Sequence, residues 1–149
     1  MNLIIIIVVL ALDQLSKLWA VNRLQALGSV PVIENIFHLT YVENRGAAFG
    51  MLQNQQLFFI ITTSIIIVGA LVFMYKNKRM HLSLKIGLNL VVAGAIGNFI
   101  DRIRLGFVVD FFDFRVWPVF NIADCAVVVG AIVISYVILK YDSITPEER

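Results

Sequence analysis

Four runs of apolar residues dominate this chain: Leu3 to Val21, Leu57 to Tyr75, Leu84 to Ile100 and Val116 to Leu139. Each is long enough to cross about 30 Å of hydrocarbon as a helix. Of the 149 residues 60% are hydrophobic and only 15% charged, too little polar surface for a soluble domain of this size. The runs leave no room for a second domain, so residues 1–149 are expected to form one integral membrane domain. The first run is read as a retained span rather than a cleaved signal peptide. No basic side chain precedes it, no A-x-A site closes it, and Asp13 and Lys17 interrupt it.

Loop charge sets the expected orientation. Lys76, Lys78, Arg79, His81 and Lys85 crowd the connection between the second and third runs, and the positive-inside rule makes that connection cytoplasmic. Both termini then lie inside, while Asn22 to Gln56 and Arg102 to about Trp117 face outside. The outer segments hold two strand candidates. "FHLTYVEN" alternates Phe37, Leu39 and Tyr41 against His38, Thr40 and Val42 before the turn signal Asn44-Arg45-Gly46. "FVVDFFDF", Phe107 to Phe114, is rich in aromatic and β-branched residues. The expected fold is an all-α membrane protein of four transmembrane helices with a small extracytoplasmic β-sheet.

The net charge of +2, spread over scattered basic residues, calls for no nucleic-acid partner. Cys125 has no second cysteine to pair with and reads as a small packing residue. His38 and His81 fall on opposite membrane sides in this topology, and no H-E-x-x-H or G-x-S-x-G occurs. Metalloprotease, serine-triad and cysteine-protease sites are therefore set aside.

What remains is a set of polar residues that lipid does not tolerate cheaply. An ionised group near the bilayer centre costs about 2.5 to 3.5 kcal/mol or more. Asp13 and Lys17, spaced i,i+4, are explained by an intrahelical ion pair whose lysine snorkels outward. Asp101 with Arg102 reads as a helix-end charge pair in contact with solvent or headgroups. Asn98 and Asp101 are three apart, as are Asn121 and Asp124, so each pair shares a helix face. Ala93 and Gly97 supply the small-x-x-x-small spacing that lets a neighbouring helix come close.

Asp110 and Asp124 differ from the rest. Neither has a cationic neighbour within one helical turn, and both border very apolar sequence. If they meet across the bundle, one carboxylate resists ionisation and the pair holds a proton between them. Such a pair can add water to a peptide carbonyl, the ionised acid taking a proton from water while its protonated partner donates to the carbonyl oxygen. Equally, Asp110 can cap a turn and Asp124 can hydrogen-bond a neighbouring helix without any chemistry. Residue chemistry alone leaves both readings open.

Five motifs in order add a resemblance over essentially the whole chain: "DQLSK" (Asp13 to Lys17), "ENRGAAFG" (Glu43 to Gly50), "AGAIGNFIDR" (Ala93 to Arg102), "VVDF" (Val108 to Phe111) and "FNIAD" (Phe120 to Asp124). The chain resembles the bacterial lipoprotein signal peptidases, or type II signal peptidases. That resemblance implies an aspartic endopeptidase of the inner membrane, with its active site at the extracytoplasmic face, cutting prolipoproteins just before a diacylglyceryl-modified cysteine. By position, Asp110 and Asp124 would be the catalytic pair. Asn44, Asn98, Arg102 and Asn121 match polar positions that line or brace the site, with Arg102 and Asn44 expected on the substrate backbone and Asn121 orienting the pair. Asp13, Lys17 and Asp101 match positions expected to be structural. Ala93 departs from the family's commoner glycine, and only thirteen residues separate Asp110 from Asp124, a short outer connection.

The expected partners are diacylglyceryl-modified prolipoproteins and membrane lipids, with the chain acting as a monomer; no metal or organic cofactor is implied. Two other classes stand beside this one. A small transporter or proton-conducting subunit would spread its polar residues through the membrane depth, whereas these cluster towards one side. A purely structural subunit would keep function after Asp110→Asn or Asp124→Asn. Gly46 and Gly50 permit a hinge in the first outer segment.

Overall fold

The computed structural model describes residues 3–46 and 51–142. The last four residues of "ENRGAAFG", including the hinge candidate Gly50, lie outside the described residues. In chain order the elements are α1 (Leu3–Leu24), β1 (Ser29–Ile33), β2 (Phe37–Asn44), α2 (Gln56–Lys76), α3 (Leu82–Leu105), β3 (Val108–Asp113) and α4 (Ile122–Asp142). All four helices are long and apolar enough to cross a membrane. The expected four-helix fold with a small sheet is what the chain adopts.

Most of α2 is exposed, with only Met74 buried, as suits a helix whose outer face meets hydrocarbon rather than protein. The most intimate helix pair is α3 with α4, because glycines remove the side chains between them. A Cβ on Gly94 would strike the carbonyl oxygen of Ala123, and Gly87 and Gly130 face each other's backbones in the same way. Gly94→Ala should therefore force the two helices apart and lower stability by about 1–3 kcal/mol. Thermal unfolding in detergent reads this directly; an unchanged midpoint would show that the contact yields freely. Gly97 serves a different neighbour, since its missing Cβ leaves room for the Asp13 carboxylate of α1. Ala93 belongs to an apolar cluster with Ile6 and Val92, packed against Ala70 and Leu71. The Ala93/Gly97 spacing thus admits α1, and Gly94 is the residue that admits α4.

The sheet has the order β1-β2-β3, all antiparallel, and Val42 lies opposite Asp110. β1 was not anticipated from the sequence; its Pro31 is tolerated because β1 is an edge strand. The sheet packs on the C-terminal end of α1 through Ala20, Leu24, Val109 and Phe111. The expected fourth span also needs correction, since α4 begins at Ile122 and not at Val116. Phe120 bridges back to β3, exchanging backbone hydrogen bonds with Phe112, so the chain before Asn121 is held by the sheet and cannot join the helix. At the other end α3 runs past Ile100 to Leu105 and stops at Gly106, whose φ of 83° places it in the left-handed region. Arg102 therefore lies in the last turn of α3, with Asp101 one residue before it.

Candidate active site

The site is built around the start of α4. Asn121 stands just before the helix and accepts the Asp124 amide through Oδ1 (2.9 Å), while Asp124 Oδ2 accepts the Asn121 amide (3.2 Å). This reciprocal arrangement is a capping box. A further donor that a helix start leaves unpaired, the Ala123 amide, goes to Oδ1 of Asp13 on α1 at 3.0 Å. Asp124 is thereby held in one orientation, and its other oxygen accepts from Nδ2 of Asn98 on α3 (2.7 Å).

Asp110 arrives from β3, whose residues Val108 to Phe111 are all buried; Asp110 itself is 1% exposed. Its oxygens accept from Nδ2 of Asn44 (2.9 Å) and Nδ2 of Asn121 (2.7 Å). Asn44 in turn accepts the Gly46 amide, which fixes which way its own amide group points. Asn121 also donates to Oδ1 of Asn98 (3.1 Å), so Asp110, Asn121, Asn98 and Asp124 form one continuous hydrogen-bonded chain. Burial first, and then the negative charge of Asp124, push Asp110 up to about 7, against the pull of Asn44, Asn121 and Lys17. Asp113, on the same strand, goes the other way. Burial opposes its ionisation, but the Arg115 amide, the Thr40 hydroxyl and the Arg115 guanidinium together hold it below the usual carboxylate value. Two acids on one strand are thus driven apart by their surroundings.

Beneath the pair lies a charge cluster that corrects two expectations. Lys17 does not snorkel: it is 3% exposed, and its Nζ lies 3.0 Å from Asp13, 3.0 Å from Asp101 and 2.9 Å from Oδ1 of Asn98. Asp101 is likewise buried and is not a solvated partner of Arg102; its Oδ2 takes Lys17 and the Val109 amide. The reason is the tight approach of α1 to α3 at Gly97, which closes the outward path a lysine would use. Arg102 turns elsewhere, its guanidinium 4.8 Å from the centre of the Phe59 ring on α2.

All nine site residues anticipated from the sequence fall at this one end of the bundle. Two further contributors were not singled out. Gln14 donates to Asp13, to the Gly97 carbonyl and to Asp101. Gln56, the first residue of α2, donates to the Arg102 carbonyl at 2.5 Å. Gln14 carried a readable signal, as an uncharged polar residue inside an apolar span beside Asp13; Gln56 looked like loop. Among the described residues no group of three or more His, Cys, Asp or Glu side chains is arranged to hold a metal ion. An apolar cavity of about 410 Å³, lined by Trp117, Phe120, Asp124, Cys125, Val128 and Val129, opens onto Asp124.

Residues 5–140 match the family model described as "Signal peptidase (SPase) II". The chain is 50% identical over 143 residues to a lipoprotein signal peptidase of Clostridioides difficile (strain 630), covering 95% of this chain and 96% of the relative. It is 46% identical over 128 residues to one from Halothermothrix orenii (strain H 168 / OCM 544 / DSM 9562), covering 86% and 88%. A solved structure, "Bacterial membrane enzyme structure by the in meso method at 2.3 A resolution", superposes with a TM-score of 0.89 at 36% identity, over 99% of this chain and 92% of that one. The likeness thus spans nearly the whole chain, and the chain belongs to the signal peptidase II family.

Proposed function

We propose that this chain is an aspartic endopeptidase of the bacterial inner membrane that removes signal peptides from diacylglyceryl-modified prolipoproteins, cutting before the lipidated cysteine. The observation that carries this reading is the pair of carboxylates, the buried Asp110 from β3 and the half-buried Asp124 from the start of α4, joined through Asn121 and Asn98. All four carboxylate oxygens accept one N–H from the protein, which fixes their orientation and leaves further lone pairs for water and for a shared proton. The substrate class comes from the family and from the names of the relatives. The cavity beside Asp124 suits it: an apolar wall would let a lipid-bearing residue stay in hydrocarbon while its peptide bond meets the carboxylates.

In this reading the pair shares one proton at rest, written here on Asp110 with Asp124 as the base. Asp124 removes a proton from water as the oxygen adds to the scissile carbonyl, and Asp110 gives its proton to the carbonyl oxygen. On collapse of the tetrahedral intermediate the C–N bond breaks, the leaving amine receives a proton from Asp124, and Asp110 regains one from the gem-diol. One water is consumed and the pair again holds one proton. Arg102 and Asn44 meet the substrate backbone, and Asn121 and Asn98 keep the two acids in register. The site faces the extracytoplasmic side, with both termini in the cytoplasm.

Because Asp110 lies near 7, the singly protonated pair is lost as the pH rises through that value. kcat/KM should fall about tenfold per pH unit above it, and a profile that stays flat well into the alkaline range would exclude the shared-proton mechanism. The reading as a whole is tested by incubating the chain, reconstituted in liposomes with a chelator present, with a diacylglyceryl-modified prolipoprotein peptide. Cleavage just before the lipidated cysteine is expected. A folded protein that leaves the peptide intact, or that cuts the unlipidated peptide equally well, would overturn the assignment.

A further inference from the structure

Among the described residues, Lys17 is the one cation that is buried. It lies on α1, and its three oxygen partners come from α1 itself (Asp13) and from α3 (Asp101 and Asn98). The third contact is the informative one. Oδ1 of Asn98 takes Lys17 on one side and Nδ2 of Asn121 on the other, while Nδ2 of the same Asn98 donates to Asp124. A lysine kept only to neutralise Asp13 and Asp101 has no need of that amide. Here it fixes which end of Asn98 faces Asp124, and it places a positive charge one side chain away from the carboxylate pair.

We infer that Lys17 is a positioning residue for the peptidase reaction, setting the proton affinity of the Asp110/Asp124 pair through Asn98, with Asp13 as its opposing charge. The inference rests on the aspartic-peptidase reading above. Among the described residues the titratable and charged groups around the pair are Asp13 and Lys17 from α1, Asp101 and Arg102 from α3 and the Cys125 thiol from α4; the sheet contributes Asp110 itself. Lys17 is among the groups that hold Asp110 down against burial, and Arg102 also lies within electrostatic reach of both acids. In a region this poorly hydrated, a fixed charge at second-neighbour distance acts with little screening.

The sign of each perturbation follows. Removing the Lys17 charge makes the pair hold its protons more tightly, so both limbs of the pH profile of kcat/KM move to higher pH. Removing the Asp13 charge while keeping Lys17 moves both limbs to lower pH. The experiment is the pH dependence of cleavage of the lipidated peptide by Lys17→Gln and Asp13→Asn in the full chain, each checked for folding by thermal unfolding, with Asp110→Asn and Asp124→Asn run alongside. Shifts of about half to one pH unit in opposite directions are expected. A merely structural cluster would lower stability and rate in both variants with the limbs unmoved or moved the same way, and either result would overturn the inference. Should Lys17→Gln not fold, Asp13→Asn decides alone, a downward shift supporting the inference and an unmoved profile rejecting it. If Asp110→Asn or Asp124→Asn still cleaves, the aspartic reading itself has failed, a result distinct from unmoved limbs in a chain whose aspartate variants are inert.

Discussion

Asp110→Asn and Asp124→Asn should each lower cleavage of a lipidated prolipoprotein peptide by about 10³-fold or more, in line with the loss of a general acid or base in the transition state. The expectation rests on proton traffic rather than on shape. An amide fills nearly the volume of a carboxylate but cannot take a proton from water or return one to the leaving amine. The replacement is not silent structurally. Both oxygens of Asp110 accept N–H groups, from Asn44 and Asn121, and an asparagine there must turn an NH2 group towards one of them. Losing one such buried hydrogen bond costs about 1–3 kcal/mol. Above neutral pH this is partly offset, because the substitution also removes a carboxylate that burial and Asp124 make reluctant to ionise. The variants should therefore remain folded yet inert, and circular dichroism with thermal unfolding separates that outcome from collapse. Full activity in a folded variant would remove that residue from the mechanism.

Lys17→Met should be the most destabilising single change in the bundle, by about 3–5 kcal/mol. Methionine fits the space, but Asp13 and Asp101 are left as two buried acids with no cation between them; they are 0% and 4% exposed. Their remaining donors are Gln14, which reaches both, the Ala123 amide on Asp13 and the Val109 amide on Asp101. Asp13 also caps α4, so repulsion in the cluster is felt at the helix start that carries Asp124. Pairing Lys17→Met with Asp101→Asn should recover part of the loss, with a coupling of about 1–3 kcal/mol in a double-mutant cycle read from unfolding in detergent. Strict additivity would mean that Lys17 and Asp101 do not interact energetically.

Much of this architecture was legible in the chain, for reasons that differ element by element. The spans were readable because hydrocarbon thickness demands long apolar runs, and β2 and β3 because alternation and β-branched or aromatic content mark strands. β1 was missed, since a short edge strand containing proline leaves little pattern. The start of α4 was placed too early, because Val116 and Trp117 are as apolar as the helix that follows and only the Phe112–Phe120 bridge excludes them from it. The i,i+4 spacing of Asp13 and Lys17 predicts their ion pair, but not that the lysine turns inward. Spacing reports who shares a helix face; it does not report what closes over that face.

By itself the sequence determined that this chain crosses a membrane with four helices, that its costly polar residues fall towards one side, and that its motifs are those of the signal peptidase II family. These follow from local rules, since length, hydropathy and spacing act along the chain. Only the tertiary structure decided that Asn121 and Asn98 join Asp110 to Asp124, that Asp13 caps a helix 110 positions away, and that Lys17 is enclosed rather than solvated. Those outcomes depend on how closely α3 approaches α1 and α4 at Gly97 and Gly94, where the absence of a side chain sets whether a charge meets lipid, water or another charge.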